Sequence, residues 1–478
     1  MRSAPPNRPA SALGGDRADG AARPPSPFDQ RVLRDSLLNL SGQALPLLVG
    51  VVSLPLILQG LGPDRFGILS LALAALGHFA ILDFGVGRAL TRSVAERFGR
   101  APTEIPRLLW TGVMLQAVLG LLGAAAVAAL APLVVERVLN VPPALGAEAQ
   151  ATARLLALAV PGITLSMPFR GLLEGARRFD LLNAIAVPAG VGTYVLPLAG
   201  LLAGVSLPSI IASMVALRFL VLVLLVTVSL VTLPALRRSV AFAPAAAYRL
   251  LTFGGWLTVS NVAAVVLTGA DRFLIAALLP VAMVTYYAAP YDLVTRLWIV
   301  SSSVVIAFFP AASALDPHRE RERLQALLTD TVRRLVLVLL PIVLVLGFFA
   351  PEILAYWLGG DFATEGSTVL RLLAVGVLVN SLAQAPHTIV LASGRPDIPA
   401  KLHVLEVPLY CGLAWWLIHS HGIAGAAAAW LIRATLDAAL MFLVARRLGA
   451  PGGPSRGSRN GRLAACLSAA SPRHSPSP

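Results

Sequence analysis

Long stretches of this chain carry no charge at all. Ser36 to Pro63, Leu108 to Val135, Leu181 to Leu217, Leu250 to Ala270 and Leu372 to Gly394 contain no Asp, Glu, Lys or Arg. A helix needs about 20 apolar residues to cross a hydrocarbon core of ~30 Å, so each stretch is long enough to span a bilayer. Reading apolar runs against charged breaks predicts twelve spans, near 36–60, 66–87, 108–135, 153–174, 181–204, 208–232, 251–279, 284–312, 335–355, 368–392, 402–419 and 422–445. Pro46, Pro55, Pro161, Pro188 and Pro290 fall inside these spans, where neighbouring helices can re-satisfy the freed backbone.

Composition agrees. Of 478 residues 57% are hydrophobic and 13% charged, with a mean hydropathy of +0.77, whereas soluble domains carry about 25% charged residues. The net charge of +14 would suggest nucleic acid in a soluble chain, but here the basic residues sit at the ends of apolar runs. Arg88, Arg92, Arg97, Arg100 and Arg107 follow span 2, and Arg170, Arg177 and Arg178 follow span 4. Arg237, Arg238 and Arg249 follow span 6, Arg319, Arg321, Arg323, Arg333 and Arg334 follow span 8, and Arg395 and Lys401 follow span 10. The intervening loops hold little beyond Arg65, Arg137, Arg154 and Arg272. This alternation predicts both termini on the cytoplasmic side of an inner membrane. The first 27 residues lack the apolar core of a secretory signal, so the first span is expected to act as an uncleaved insertion signal.

Two short strings recur. Gly62-Pro63-Asp64-Arg65-Phe66 is echoed by Gly269-Ala270-Asp271-Arg272-Phe273, and Gly175-Ala176-Arg177-Arg178-Phe179-Asp180 by Gly394-Arg395-Pro396-Asp397. They suggest two repeated halves. The expected division is a disordered or amphipathic tail at 1–35, a six-helix lobe at 36–232, a linker at 233–250, a second six-helix lobe at 251–447 and a disordered tail at 448–478.

The run Leu37-Leu38-Asn39-Leu40 through Leu58-Gln59-Gly60-Leu61-Gly62, the Arg65-Phe66-Gly67 turn, and Leu82-Asp83-Phe84-Gly85-Val86-Gly87-Arg88-Ala89-Leu90-Thr91 are similar to the start of oligosaccharide and polysaccharide flippases. These belong to the multidrug/oligosaccharidyl-lipid/polysaccharide exporter superfamily. Gly171-Leu172-Leu173-Glu174-Gly175, with Arg178-Phe179-Asp180 and Asn183, resembles the same family, as does Asp271-Arg272-Phe273-Leu274-Ile275. The resemblance covers about residues 28–447. It implies an all-α polytopic membrane protein of about 12 transmembrane helices in two six-helix lobes around a central cavity. It further implies alternating access, an undecaprenyl-diphosphate-linked oligosaccharide as cargo, and glycan polymerase and assembly proteins as partners. Peptidoglycan-precursor flippases of the superfamily have two further carboxy-terminal spans, and here the apolar pattern ends near Leu448.

Ionisable residues inside spans cost on the order of 2.5–3.5 kcal/mol each, so they are functional candidates. Arg218 in span 6, Arg296 in span 8, Arg433 in span 12 and Arg371 at the start of span 10 are candidates for a cationic cavity matched to a diphosphate. The competing reading makes Asp292/Arg296 and Arg433/Asp437, each four apart, self-satisfied pairs, and lets Arg371 snorkel. Asp83 and Arg88, around a Gly85/Gly87 turn, and Asp271 and Arg272, at the end of span 7, are gating candidates or interfacial caps, the cap being favoured. Asp292 and Asp437 join them as coupling candidates; His78, His387 and Glu406 stand between relay or coupling roles and packing or anchoring.

Other functions fare less well. A cation-coupled multidrug exporter needs a carboxylate buried in a lobe, and spans 1, 3 and 5 contain none. A membrane glycosyltransferase, polymerase or ligase needs converging acid/base groups, and the outer loops are short and poor in paired carboxylates. No phosphate-cradling G-x-x-x-x-G-K-[ST] motif is present, and the two cysteines suggest no metal site; no cofactor is expected.

Overall fold

The computed structural model describes residues 27–98, 102–237, 240–315, 320–393 and 395–448. Most of both expected tails therefore lies outside the described residues. Residues 27–35 do not: the first helix opens at Pro27, a residue that suits an initial helical position because its missing N–H has no partner to lose.

Among the described residues the chain is helical with no strand. The amino-terminal half comprises α1 (Pro27–His78), α2 (Val86–Arg97), α3 (Ile105–Leu133), α4 (Gly146–Gly175), α5 (Phe179–Leu202) and α6 (Leu207–Thr232). The other half comprises α7 (Pro244–Leu278), α8 (Ala282–Thr295), α9 (Trp298–Ala314), α10 (Arg321–Phe348), α11 (Ala350–Leu358), α12 (Gly360–Glu365), α13 (Ser367–Ala392) and α14 (Asp397–Leu448).

Among the described residues, eight helical stretches are long and apolar enough to cross a membrane. Two of them, Leu45–Asp83 with 39 residues and Asp397–Arg447 with 51, are too long for one crossing. Straight, they would extend about 58 and 76 Å at 1.5 Å per residue. Both double back at a left-handed glycine, Gly62 (φ 73°) and Gly422 (φ 60°), a conformation that costs glycine little. Before Gly62 the first arm of α1 runs beside α5, with Gly50 against the Tyr194 ring and Gly60 against Leu201. After it, the second arm meets α4 at the Arg65–Glu148 ion pair, 2.9 Å, and α2 continues along α4 with Gly87 against Met167. At the other reversal, a Cβ on Gly425 would lie 1.9 Å from the Leu417 carbonyl oxygen. These reversals fall where the predicted spans 1 and 2, and 11 and 12, meet.

The two echoes fare differently. Arg178 pairs with Asp180 at 3.0 Å between α4 and α5, and Arg395 pairs with Asp397 at 3.2 Å between α13 and α14, so this string marks the same junction in each half. The Asp-Arg-Phe string does not: residues 64–66 follow the Gly62 reversal, whereas residues 271–273 lie inside α7.

Among the described residues, side chains pack into three apolar cores. The largest joins both halves and takes in Leu54–Leu76, Leu156–Ile163 and Leu207–Val215 with Leu267–Val294, Val343–Val377 and Tyr410–Trp430. It lies toward the arginine-poor loops. Toward the arginine-rich loops there are two separate cores, one around Val86, Leu109, Leu172 and Leu225, the other around Phe308, Leu324 and Ile389. The halves thus share one core; toward the arginine-rich loops the start of α7 still packs on the amino-terminal core through Ala246 and Leu250, while the core around Phe308 stands apart.

Candidate functional site

At the junction of the halves, α7 and α8 bring charged and aromatic groups into the shared core. Asp271 is 1% exposed; one oxygen accepts the Arg272 N–H at 2.9 Å and the other accepts the Tyr287 hydroxyl. Arg272, 9% exposed, donates to Asp292 at 2.5 Å and to Ser70 Oγ of the other half at 3.5 Å. The expected interfacial cap at Asp271 and Arg272 is therefore a buried network. Tyr287 and Tyr291, one helical turn apart, stack at 5.9 Å, and the Arg272 guanidinium lies over Tyr291 at 5.0 Å.

With Asp292 occupied by Arg272, Arg296 turns elsewhere. Its Nη2 donates to the Tyr194 hydroxyl on α5 at 2.7 Å, and its Nε to the Asp292 carbonyl at 3.2 Å. The self-satisfied Asp292/Arg296 pair does not form. α8 ends at Thr295, so the carboxylate of Asp292 is left to face α7 while Arg296 reaches across the junction.

A second cluster follows from the Gly422 reversal, which lays the two arms of α14 together. Arg433 Nη1 lies 3.7 Å from Glu406, and His403 Nε2 lies 3.6 Å from Asp437. The expected Arg433/Asp437 pair is absent too, because each residue finds its partner on the opposite arm. Both Glu406 oxygens, Asp437 Oδ1 and Arg433 Nε are buried without a hydrogen bond. Donor atoms of His403, Glu406 and Asp437 all lie within 4.8 Å of one another, a spacing a cation could bridge. The cluster borders a cavity of about 260 Å³ lined by Asn380, Gln384, His387, His403, Arg433 and Asp437. Trp430 links the clusters: it meets Tyr291 edge-on at 6.2 Å and carries Arg433 at 5.7 Å.

The remaining candidates stand apart. Arg218 lies on the buried stripe of α6, between Val215 of the shared core and Leu225 of the amino-terminal one. Its Nε is buried without a partner, and no carboxylate pairs with it among the described residues. Arg371 is exposed and donates to the Gly347 carbonyl at 3.1 Å, the arrangement expected of a snorkelling side chain. Asp83 is 7% exposed and caps α2, both oxygens accepting the Gly87 N–H at 2.9 and 3.0 Å, while Gln116 donates to its carbonyl at 2.7 Å. The turn it holds passes through left-handed Phe84 (φ 47°) and Gly85 (φ 72°); Arg88 points outward.

Tyr194, Tyr287, Tyr291, Tyr410 and Trp430 were not among the sequence candidates. Tyr287 and Tyr291 are four apart in span 8 and Tyr291 directly precedes Asp292, a spacing that ordinary core aromatics share.

Bonds between the halves concentrate near the arginine-poor face. Thr285 donates to the Pro63 carbonyl at 2.7 Å, Asn140 Nδ2 to that of Ala277 at 2.8 Å, and Trp357 Nε1 to that of Val51 at 3.0 Å. Two halves that share one core around buried charges are the arrangement these bonds hold together. Solved structures agree on the fold. An inward-facing multidrug resistance MATE family transporter of the MOP superfamily superposes with a TM-score of 0.71 at 14% identity, covering 91% of this chain and 100% of that one. A MOP superfamily transporter from Pyrococcus furiosus, titled for the reverse polarity of its binding pocket, gives 0.62 at 16% identity, covering 87% and 95%.

Residues 61–365 match the family described as "Polysaccharide biosynthesis protein", and the chain belongs to that family. A Shigella flexneri relative named "Putative O-antigen transporter" is 27% identical over 410 residues, covering 86% of this chain and 96% of its own. The chain is accordingly a multi-pass helical membrane protein of the polysaccharide biosynthesis family, and the relatives and solved structures it resembles are named as transporters.

Proposed function

We propose that the protein flips an undecaprenyl-diphosphate-linked oligosaccharide repeat unit across the inner membrane by alternating access, for assembly of a cell-surface polysaccharide. The observation that carries the reading is the division of the cores: one large shared core toward the arginine-poor face, and toward the arginine-rich face two separate ones, of which only the amino-terminal core, through Ala246 and Leu250 at the start of α7, draws on both halves. By the positive-inside rule the arginine-rich face is cytoplasmic, which places both termini inside and opens the lobes toward the side where lipid-linked precursors are made. The chain then crosses the membrane twelve times, each reversal counting as a boundary.

Arg296 and Arg218 are the arginines best suited to a diphosphate, since neither pairs with a carboxylate among the described residues. An unpaired guanidinium in a membrane interior costs several kcal/mol unless an anion arrives, and its planar fork suits phosphate oxygens. Arg272 is committed to Asp292 and acts as structure. Glycan polymerase and assembly proteins are the expected partners on the far side.

Purified protein in liposomes should translocate a fluorescent polyprenyl-diphosphate oligosaccharide, and Arg296→Gln should slow the rate at least about tenfold, the equivalent of one lost charged hydrogen bond. Equal translocation by empty liposomes would overturn the reading. The buried Glu406–Asp437 cluster favours a second reading, cation-coupled drug export, because it supplies the intralobe carboxylates that spans 1, 3 and 5 lack. Efflux of cationic dyes by the same liposomes, with no glycolipid movement, would select it.

A further inference from the structure

The cavity of about 260 Å³ beside the His403–Asp437 cluster lies wholly within the carboxy-terminal half, between α7, the start of α9, α13 and both arms of α14. Its wall is mixed. On α13, Asn380, Gln384 and His387 follow one another at steps of four and three, so they share the helix face that lines the cavity. The side-chain amides of Asn380 and Gln384 make no hydrogen bond among the described residues. From α14 come Arg433 and Asp437, each 7% exposed, with Arg433 Nε and Asp437 Oδ1 buried and unbonded. Trp298 adds an aromatic wall whose indole N–H is also buried without a partner.

These unbonded groups are of both kinds, and that decides the class of occupant. The amides, indole and guanidinium donate, while the carboxylate and the amide carbonyls accept. A bare cation would use the Asp437 and Glu406 oxygens but leave the donors unmet, and it would be repelled by the Arg433 guanidinium, 3.7 Å from Glu406. An anion would meet the Asp437 carboxylate, and an apolar ligand would leave every polar group without water or partner. An uncharged, polyhydroxylated ring serves all of them, because each hydroxyl both donates and accepts, and its C–H face suits Trp298. Size agrees: pockets for drug-sized ligands start at roughly 300 Å³, so this one takes a single ring rather than an oligosaccharide. The pocket also lies toward the arginine-rich loops. His387 is five residues from the end of α13 at Ala392 and His403 six from the start of α14 at Asp397, about 8–9 Å of helix in each case. Ala264 and Thr268 of α7 line it and are exposed, which leaves a way in.

We propose that this pocket is a sugar subsite that holds one uncharged pyranose ring of the lipid-linked glycan, with the Asn380 and Gln384 amides and the Asp437 carboxylate on its hydroxyls. The assignment rests on the flippase reading above and adds to it the groups that read the glycan, where Arg296 and Arg218 take the diphosphate. Trp298 meets Trp430 at 6.4 Å and Trp430 meets Tyr291, so the pocket adjoins the Arg272 network. Every lining residue belongs to one half, and the subsite therefore stays whole while the halves rearrange.

The test uses full-length protein in phosphatidylcholine nanodiscs and titrates polyprenyl diphosphate, bare or carrying glucose, galactose or N-acetylglucosamine, with native mass spectrometry reading each Kd. At least one sugar-bearing lipid should bind about tenfold more tightly than the bare lipid, the equivalent of one or two net hydrogen bonds. Asn380→Leu and Gln384→Leu keep much of the side-chain bulk and remove the amide; each should erase most of that preference and leave the Kd of the bare lipid unchanged. Both positions are half-buried and the amides unbonded, so the variants should melt like the wild type. Asp437→Asn, which keeps the shape and removes the charged acceptor, should also weaken the sugar-bearing lipid alone. No preference for any sugar-bearing lipid, equal losses for bare and sugar-bearing lipids, or unchanged Kd values in all three variants would overturn the subsite. So would variants that weaken binding of sodium or ethidium and leave the sugar-bearing lipids unaffected, the behaviour of a cation pocket. Liposome translocation by the wild type separates the two ideas: flipping without a sugar preference removes only the subsite, and no flipping removes the function itself.

Discussion

Arg272 on α7 forms its ion pair with Asp292 on α8, 2.5 Å away, and leaves the adjacent Asp271 to the Tyr287 hydroxyl. This choice of partner frees Arg296 to bind Tyr194 across the lobe junction. One pairing inside a half thereby leaves Arg296, without a carboxylate partner among the described residues, to reach the other half.

Asp292→Asn should strand the Arg272 charge in the shared core. Breaking a buried pair from one side costs about 3 kcal/mol, toward the low end of the usual range because Asp292 retains some exposure. A thermal melt in detergent should show the loss as a clearly lower Tm. Replacing both partners with apolar residues should recover part of it, since no unpaired charge remains; a double variant less stable than either single one would show that the pair is not the relevant unit.

Tyr194→Phe removes the hydroxyl that accepts from Arg296 while keeping the ring beneath the guanidinium at 5.6 Å. The closed arrangement should weaken by about 1–2 kcal/mol, the net worth of a hydrogen bond to a charged group. Asn140→Cys with Ala277→Cys provides the readout, because these residues meet across the closed face at 2.8 Å. Disulfide yield should fall in the Tyr194→Phe background, and an unchanged yield would mean that this bond does not hold the halves together.

Glycine permits the closest approach of the halves. A Cβ on Gly67 would lie 2.4 Å from the Val281 carbonyl oxygen, a backbone atom that cannot move without shifting α8. Gly67→Ala should therefore pry the halves apart, lowering the same disulfide yield and slowing transport while the protein still reaches the membrane. Gly77→Ala on the same helix meets nothing within 4 Å and serves as the control, expected to be neutral or stabilising by about 0.5 kcal/mol.

Glu406 and Asp437 face each other in the cavity-lining cluster with one arginine between them and His403 beside. Two carboxylates share one guanidinium here, an excess of acidic groups in a buried place. Glu406→Gln removes that excess and should raise the melting temperature modestly, by the equivalent of about 1 kcal/mol. A marked fall would instead indicate that a bound cation normally bridges the two carboxylates.

Much of the fold was legible from charge. Charge-free runs placed the long helices, arginine alternation separated the two faces, and the breaks near residues 62 and 421 became the Gly62 and Gly422 reversals. Short strings were less reliable because they do not encode depth. The Asp-Arg-Phe echo put Arg65 on an exposed pair with Glu148 but Arg272 inside the core, whereas the Arg178–Asp180 and Arg395–Asp397 echo is structurally equivalent.

The site was legible only in its inventory. Spacing of four along a helix suggested Asp292/Arg296 and Arg433/Asp437, yet packing against α7 and the folding back of α14 supplied other partners. Such choices belong to tertiary structure, where a helix neighbour at 3 Å outcompetes one a turn away. The tyrosines escaped because an aromatic residue in an apolar span is indistinguishable, by pattern, from ordinary core.

The most direct test of the central claim is mass spectrometry of lipid-linked intermediates in cells from which the gene has been deleted. The flippase account predicts accumulation of a polyprenyl-diphosphate-linked repeat unit on the cytoplasmic side, with loss of the surface polysaccharide, both reversed by the wild-type gene and not by a variant carrying Arg296→Gln. Unchanged surface polysaccharide with no accumulated intermediate would contradict it.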